Sequence, residues 1–255
     1  MVDLKTPAEI EQMRAAGRVV ANALAAVKKS AAAGVSLREL DEVARDVLRS
    51  AGAVSLFEGY QPGFATSPFS GVICTSVNDA VLHGLPTDLR LQDGDLLNVD
   101  CGASVDGWCA DSAISFCVGT PRAEDLELIA TTEEALAAGI AAAVEGNRIG
   151  DIGAAIGRVG KRAGLGTNLD FGGHGVGRRM HEEPHVPNGG RPGRGLRLRA
   201  GHVFAIEPWF WTGPGSTYVI DDDGWTLRSA DHTRGAHAEH TVAITADGPR
   251  ILTVP

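Results

Sequence analysis

The sequence predicts an α+β protein that is built from two similar α/β halves. Apolar residues recur at helical spacing near the start of each half, and apolar strand-like segments follow both helical regions. Residues 31–52 also align without gaps on residues 143–164, about 112 positions later. We therefore expect a single domain over residues 1–255, with an internal repeat whose halves span about 1–119 and 120–255.

Two helices are predicted at the start of the first half. In TPAEIEQMR, Thr6 is placed to cap the first helix, Pro7 to occupy its first turn, and Glu9 to complete a capping box. The second helix is expected to begin at Ser36, with Glu39 in the same relation to it. Another Thr-Pro pair opens the helical region of the second half.

Strands are predicted after each helix pair. The segments are 71–77 and 95–118 in the first half, and 202–210, 216–228 and 237–245 in the second. Asp106-Gly107 is a strong signal for a two-residue turn, which would place Gly102 opposite Asp111 in a hairpin. Two such halves facing each other would enclose a cleft, and a cleft is a natural place for a site.

Composition argues against several classes of protein. A formal net charge of -9 disfavours general binding to nucleic acid or anionic membranes, which depends on clustered Lys and Arg. The basic run 191–199 is rich in Gly and is expected to be an exposed loop. No segment approaches the ~18 apolar residues of a membrane span, and the N-terminus resembles a helix start and not a signal peptide. The cysteines form no CxxC pair, which favours reduced thiols in a cytoplasmic protein.

Two carboxylates interrupt the predicted hairpin. Asp100 and Asp111 lie in apolar strand sequence, and the expected register places both side chains on one side of the sheet. Two carboxylates that close repel each other unless a cation or a shared proton neutralises them. The alternative is that both are ordinary strand-end residues that reach water.

The second half supplies residues that would complete a metal site. His174 lies in a Gly-rich segment, Glu207 ends an apolar strand before a proline, and Glu239 begins another apolar strand. With Asp100 and Asp111, they give four carboxylates and one imidazole. This set suits two ions such as Mn, Fe(II) or Co better than a structural zinc.

One apparent motif is rejected. HEEPH, residues 181–185, matches the zinc-protease pattern H-E-x-x-H, which requires both histidines on one face of a helix. Pro184 within the motif and the surrounding Gly and Pro residues disfavour a helix. A nucleophile elbow, a P-loop and a dinucleotide-binding glycine motif are also absent from the sequence.

Seven short motifs in order resemble those of the type I methionine aminopeptidases, which have the pita-bread fold. They are TPAEIEQMRAAG, SVNDAVLHGLP, DLLNVD, DGWCADSA, GHGVGRRMHEEP, FAIEP and DDGWTLRS with AEHTVAI. The resemblance covers nearly the whole chain. It implies two halves related by a pseudo-twofold axis, with antiparallel sheet enclosing a cleft that holds two metal ions.

The same resemblance implies a role for each metal ligand. Asp100 and Asp111 would chelate one ion, while Asp111 and Glu239 would bridge to a second ion that His174 and Glu207 complete. The two divalent ions could be Co, Mn, Fe(II) or Zn, and the sequence does not choose among them.

The resemblance also implies how the reaction proceeds. His83 and His181 match the two histidines that contact the substrate in the family. A hydroxide shared by the two ions would attack the first carbonyl carbon, and the ions with His181 would stabilise the oxyanion. Glu207 would carry the proton towards the leaving amine, with His83 near the scissile nitrogen.

A methionine side chain would need an apolar pocket. The candidates are Tyr60, Phe69, Cys74, Met180 and Trp225. The last three match pocket positions of the family, although each could equally belong to the core. Segment 56–74 is longer than is usual for the family, so its effect on Tyr60, Phe69 and side-chain selectivity stays open.

The activity implied is removal of the N-terminal methionine from nascent proteins and peptides, preferentially before a small second residue. Such an enzyme would be a cytoplasmic metallo-exopeptidase of protein maturation, expected to be a monomer with transient ribosome contact at most. Two alternatives remain. One is a proline-directed aminopeptidase or prolidase of the same fold, which usually has an additional N-terminal domain. The other is a non-catalytic peptide-binding module, which typically lacks some of the ligands.

Overall fold

The computed structural model describes residues 2–255. Its helices are α1 (Pro7–Ser30), α2 (Leu37–Ser50), α3 (Ala123–Ala142) and α4 (Ile149–Ala163). The strands of the first half are β1 (Val54–Ser55), β2 (Cys74–Val77), β3 (Ala80–Leu82), β4 (Leu96–Val105) and β5 (Trp108–Cys117). Those that follow α4 are β6 (Gly173–Gly175), β7 (Glu182–Val186), β8 (Val203–Ile206), β9 (Trp209–Trp211), β10 (Tyr218–Ile220), β11 (Leu227–Ser229), β12 (Gly235–His237), β13 (His240–Thr245) and β14 (Gly248–Ile251).

Capping boxes begin both helices of the first half, as predicted. Thr6 Oγ1 accepts a hydrogen bond from the Glu9 N–H at 3.3 Å, and the Thr6 N–H donates to Glu9 Oε2 at 2.7 Å. Ser36 and Glu39 form the same pair of bonds at 3.2 and 2.7 Å. These bonds satisfy amide groups of the first turn that have no partner within the helix.

Helix α3 begins later than the Thr-Pro pair predicted. Its first residue is Ala123, and no side chain caps its N-terminus. The Thr120 N–H donates instead to Asp93 Oδ1 at 2.7 Å. Thr120 therefore belongs to the turn after β5, and the capping pattern of α1 is not repeated here.

The internal repeat is visible in backbone geometry. Gly34 and Gly146, which precede α2 and α4, have φ angles of 90° and 94°. Gly52 and Gly164, which follow these helices, have φ angles of 64° and 69°. Positive φ is accessible to glycine at little cost, so the aligned glycines shape matching loops. This agreement supports a division near residue 119, which remains a prediction.

The predicted hairpin between β4 and β5 is confirmed. The two strands pair antiparallel, with Gly102 opposite Asp111. Asp106 and Gly107 have φ angles of 51° and 75°, as a type I′ turn requires. Strand β4 also pairs with β1 and β2, so β4 is the central strand of a four-stranded sheet.

The strands predicted in the second half lie where they were expected, but the structure divides them into shorter strands. Pro208 separates β8 from β9, and a turn at 221–224 divides the predicted strand 216–228 into β10 and β11. Strands β6 and β7 were missed because their sequence is rich in Gly, His and Glu and lacks an alternating apolar pattern. They join the sheet of order β14-β13-β8-β6-β7.

Two main apolar clusters support the site, one in each half. The first packs α1 and α2 against β4 and β5, and includes Val20, Leu40, Val99 and Ala110. The second packs α3 and α4 against β8 and β13, and includes Leu128, Ile152, Phe204 and Val242. Among residues 2–255, none of the helices has the length and apolar character needed to cross a membrane.

Replacing Gly107 with Ala should destabilise the hairpin, because its φ of 75° is unfavourable for a residue with a Cβ atom. We expect a cost of about 1 kcal/mol and a Tm lower by about 3 °C in thermal unfolding. Gly215→Ala is the control, since a Cβ there would meet nothing within 4 Å and its φ is not positive. Equal Tm values for both variants would contradict the role assigned to the turn.

Candidate metal centre and substrate cavity

The hairpin presents Asp100 and Asp111 to the space between the halves. Asp111 is 4% exposed, and its backbone is fixed by Thr241, whose Oγ1 accepts from the Asp111 N–H at 2.9 Å and donates to the Asp111 carbonyl at 2.8 Å. A Cβ atom on Gly102 would lie 3.2 Å from Asp111 Oδ1. The glycine opposite Asp111 therefore leaves room for its carboxylate.

His174 on β6 faces the same space as a neutral imidazole. Its Nδ1 donates to the Gly175 carbonyl at 3.0 Å, which leaves the Nε2 lone pair free. Nε2 lies 3.6 Å from Glu207 Oε1 and 4.0 Å from Asp111 Oδ2. Burial lowers the pKa of His174 to about 3, with a smaller contribution from His181.

Glu207 and Glu239 come from the ends of strands in the second half. Glu207 follows β8 directly, and Glu239 lies between β12 and β13. The Glu239 N–H donates to the Ala113 carbonyl at 3.0 Å, and Ala113 is the residue opposite Asp100 in the hairpin. This bond aligns Glu239 with Asp100 across the boundary between the halves.

The four carboxylates have raised pKa values. Burial raises the pKa of Asp111 to about 6, and burial together with the charge of Asp111 raises that of Glu207 to about 8. Burial and the same neighbouring charge hold the pKa values of Asp100 and Glu239 well above the usual range. Each carboxylate is therefore unfavourable in its charged form unless a cation is present.

The chemistry of this donor set fits a divalent cation. Three buried carboxylate oxygens have no hydrogen-bond partner among residues 2–255: Asp100 Oδ1, Asp111 Oδ1 and Glu239 Oε1. Asp111, His174 and Glu239 each place one donor atom within 4.8 Å of the others. Buried oxygens without partners cost free energy, and a metal ion would satisfy them. All five predicted ligands are thus brought to one place.

The two other predicted histidines line a cavity beside this centre. The rings of His181 and His174 are 4.3 Å apart between centroids, and the Tyr60 hydroxyl lies 3.2 Å from His181 Nδ1. His83 has a φ of 57°. Its pKa is lowered to about 4 by burial and then by His181, so the ring is neutral.

The cavity, of about 120 Å³, is lined by the five candidate ligands, by His83 and His181, and by apolar and aromatic side chains. It is lined by all five predicted pocket residues: Tyr60, Phe69, Cys74, Met180 and Trp225. Sequence reasoning missed Phe57, Phe64 and Phe171, which also line it. Phe57 lies in the sequence beside candidates that were recognised, but nothing in the sequence indicated that Phe171 reaches this wall.

The long segment 56–74 folds over the cavity. Its base is closed by backbone hydrogen bonds from Gly59 N to Phe69 O at 2.9 Å and from Phe69 N to Tyr60 O at 2.8 Å. The Trp225 indole donates to the Ser67 carbonyl at 2.9 Å. These bonds leave Tyr60 and Phe69 at the cavity.

Phe64 lies in the exposed part of segment 56–74. It is 43% exposed, and its ring centroid lies 6.2 Å from that of His83 and 5.7 Å from those of Phe171 and Trp225. Segment 56–74 thus places an aromatic ring at the mouth of the cavity, against one of the predicted substrate-contacting histidines.

A further histidine close to the carboxylates was missed. His237 Nε2 lies 3.8 Å from Glu207 Oε2 and 4.0 Å from Glu239 Oε2. A signal was available, because His237 precedes Glu239 by two residues and side chains at that spacing in an extended segment share a face. The motif AEHTVAI indicated Glu239 as a ligand but does not include His237.

Residues 11–246 match the model of metallopeptidase family M24. The chain belongs to metallopeptidase family M24. It is 48% identical to methionine aminopeptidase 1 of Mycobacterium tuberculosis (strain CDC 1551 / Oshkosh), covering 100% of this chain and 96% of that relative. It is 42% identical to the methionine aminopeptidase of Clostridium acetobutylicum, covering 100% of this chain and 99% of that relative.

Solved structures confirm the predicted pita-bread fold. The crystal structure of the Thermotoga maritima methionine aminopeptidase superposes with a TM-score of 0.95 at 37% identity, with both chains fully covered at 100%. The prolidase of Pyrococcus furiosus gives a TM-score of 0.76 at 24% identity, covering 99% of this chain and 65% of that one. The prolidase likeness shows the fold alone.

The M24 centre should make the stability of the metal-free protein depend on pH. An unfolded Glu loses its proton near pH 4.5, whereas Glu207 in the folded chain keeps it to about pH 8. The folded state then binds more protons, so stability falls as pH rises through this window, by about 1.4 kcal/mol per pH unit for one proton. The lowered pKa values of His83, His174 and His237 act in the opposite sense, because an unfolded histidine still binds a proton at pH 6 and the folded one does not. We therefore expect the change in Tm from pH 6 to pH 8 to be about 5 °C more negative in the wild type than in Glu207→Gln.

Scanning calorimetry of the metal-free protein at both pH values tests this. Because a metal ion binds the deprotonated carboxylates, Mn²⁺ should raise Tm more at pH 8 than at pH 6. Glu207→Gln is the control, because it lacks the Glu207 proton. The same change in Tm between pH 6 and pH 8 in the wild type and in Glu207→Gln would contradict the carboxylate assignment.

Proposed function

We propose that this M24 enzyme removes the N-terminal methionine from proteins and peptides, preferentially when the second residue is small. The observation that carries the proposal is that the carboxylate–imidazole cluster lines a small cavity together with apolar and aromatic side chains. Ligands for hydrolytic chemistry and a pocket for one apolar side chain are then adjacent. The names of the relatives point to the same activity.

Two divalent ions would be held by Asp100, Asp111, His174, Glu207 and Glu239, with Co, Mn, Fe(II) and Zn as candidates. Bound in this way, the ions supply Lewis acidity and lower the pKa of water to near neutrality. Membership in a metallopeptidase family and the buried cluster support the use of a divalent ion. Their number and identity are part of the proposal.

Three side chains have separate roles in the reaction. Glu207 accepts a proton from the attacking water and delivers it to the amine that leaves when the peptide bond breaks. His181, a neutral imidazole, donates a hydrogen bond to the oxygen on which negative charge develops. His83 lies by the same cavity and orients the scissile nitrogen.

The cavity walls suit an unbranched, polarisable side chain. Cys74 and Met180 offer sulfur atoms, while Phe57 and Trp225 offer aromatic surfaces, and Phe57, Cys74, Met180 and Trp225 are all buried in one cluster. Sulfur–aromatic contacts are favourable by about 0.3–1.5 kcal/mol each. A methionine thioether could therefore make specific contacts here that a leucine side chain could not.

The cellular compartment, the oligomeric state and the contact with ribosomes are proposed from the same activity. Free N-termini of nascent chains are the substrates that this reaction requires, so we place the enzyme in the cytoplasm, as a monomer, with transient contact to ribosomes. Binding to nucleic acid as such is not expected, because the net charge is -9.

The proposed specificity is tested with the protein stripped of metal and then reconstituted anaerobically with Mn²⁺, Fe²⁺ or Co²⁺. Release of the first residue is measured from Met-Ala-Ser, Leu-Ala-Ser and Ala-Pro-Ala. We expect metal-dependent cleavage of Met-Ala-Ser alone. Preference for Ala-Pro-Ala would transfer the enzyme to the proline-directed branch, and metal binding without cleavage of any peptide would favour a non-catalytic module.

Asp111→Asn should lower kcat/KM for Met-Ala-Ser by more than about 100-fold, since removal of groups that only orient ligands already costs 10–100-fold. Asp88→Asn is the matched control, because the Asp88 side chain is 82% exposed and pairs with Arg38 at the surface. Near-normal turnover of Asp111→Asn with excess metal would rule out the assigned ligand role.

Phe64→Ala should open the mouth of the cavity and relax selectivity at the second residue. We expect kcat/KM for Met-Leu-Ser to rise relative to Met-Ala-Ser by about 5-fold or more, which corresponds to roughly 1 kcal/mol. Phe64→Tyr retains the ring and should keep the wild-type ratio. An unchanged ratio in Phe64→Ala would show that this ring does not limit the second residue.

A further inference from the structure

His237 is a buried imidazole that the proposed reaction leaves without a task. It is 2% exposed and ends β12. Its backbone is fixed by Ser115, whose Oγ accepts from the His237 N–H at 2.9 Å and donates to the His237 carbonyl at 2.6 Å. The ring therefore projects from a rigid position in the sheet region beside the hairpin.

The ring nitrogen Nε2 of His237 points at two carboxylates and makes no hydrogen bond in the described structure. The distances are 3.8 Å to Glu207 Oε2 and 4.0 Å to Glu239 Oε2. The other oxygen of Glu207 faces His174 Nε2 at 3.6 Å. Glu207 thus lies between two imidazoles, one on each side of its carboxylate. A buried polar atom without a partner costs free energy, which a hydrogen bond to a carboxylate would recover.

We propose that His237 is a positioning residue, whose Nε2–H donates a hydrogen bond to Glu207 and Glu239 and holds both carboxylates in the orientation that binds a divalent ion. The proposal rests on the metal centre of the proposed function. Metal binding leaves these carboxylates ionised, and an ionised acceptor forms shorter and stronger hydrogen bonds. A closure of under about 1 Å would bring Nε2 within hydrogen-bond distance of either oxygen.

A positioning role fits the geometry better than direct ligation. Among residues 2–255, His237 approaches within 4.0 Å only the carboxylates of Glu207 and Glu239, whereas His174 approaches both Asp111 and Glu207. His237 therefore approaches the centre at the two glutamates and reaches neither aspartate of the hairpin, as expected of a group that orients metal ligands.

The test measures Mn²⁺ affinity of metal-stripped full-length protein by isothermal titration calorimetry. We expect His237→Phe, which keeps a ring but cannot donate, to weaken binding by 10–100-fold. His237→Gln, whose amide can donate, should stay within about 3-fold of the wild type. His202→Gln is the matched control, because His202 is also buried, at 3%, but is bonded to the Arg199 N–H away from the centre. Wild-type affinity in a folded His237→Phe would overturn the proposal.

A second measurement needs no variant and therefore does not depend on how His237→Phe folds. Electron spin-echo spectroscopy of the Mn²⁺-loaded wild type counts imidazole nitrogens bound directly to the ion. One nitrogen, from His174, is expected. Two would make His237 a ligand and overturn the positioning role. Wild type that binds Mn²⁺ but cleaves no Met-Ala-Ser would refute the proposed function while leaving the affinity comparison intact.

Discussion

Electrostatic repulsion among four buried carboxylates is the constraint that the rest of the structure must accommodate. Asp100, Asp111, Glu207 and Glu239 come together between the halves, and burial raises the pKa of each. Such a cluster is unstable in its charged form without a cation. The backbone nevertheless holds it rigidly, through Thr241 on Asp111 and through the Ala113–Glu239 bond. The protein thus maintains a site whose charged state a bound metal would stabilise.

The two parts of the site are built on different kinds of structure. The candidate ligands lie on strands or directly beside them, in sheets that are packed on helices on their outer sides. The cavity wall, by contrast, takes much of its surface from segment 56–74, which is mostly loop. Rigid elements fix reactive groups more accurately than loops do. We infer that the chemistry is set by the sheets, while selectivity is adjusted through the loop.

Residues in regular, strongly patterned sequence could be predicted well. The Asp106-Gly107 turn fixed the hairpin register, and that register placed Asp100 and Asp111 on one side of the sheet. Capping boxes located α1 and α2 for a similar reason, since their hydrogen bonds are local. The five candidate ligands could be found because each is a polar residue where the local pattern calls for apolar or small ones.

Features that depend on distant contacts could not be predicted. Strands β6 and β7 are formed by pairing with each other and with β8, and their own sequence does not alternate. Phe64 reaches the cavity only because segment 56–74 folds back through its base hydrogen bonds. His237 was overlooked because its partners, Glu207 and Glu239, belong to the ligand set that the motifs had already explained.

The central claim is that this buried cluster binds divalent ions. Anomalous diffraction from crystals grown with saturating Mn²⁺ tests it most directly. The account predicts two anomalous peaks, about 3.5–4 Å apart, enclosed by the oxygens of the four carboxylates and by His174 Nε2. Absence of any peak there at saturating Mn²⁺, with the carboxylates still adjacent, would contradict the account.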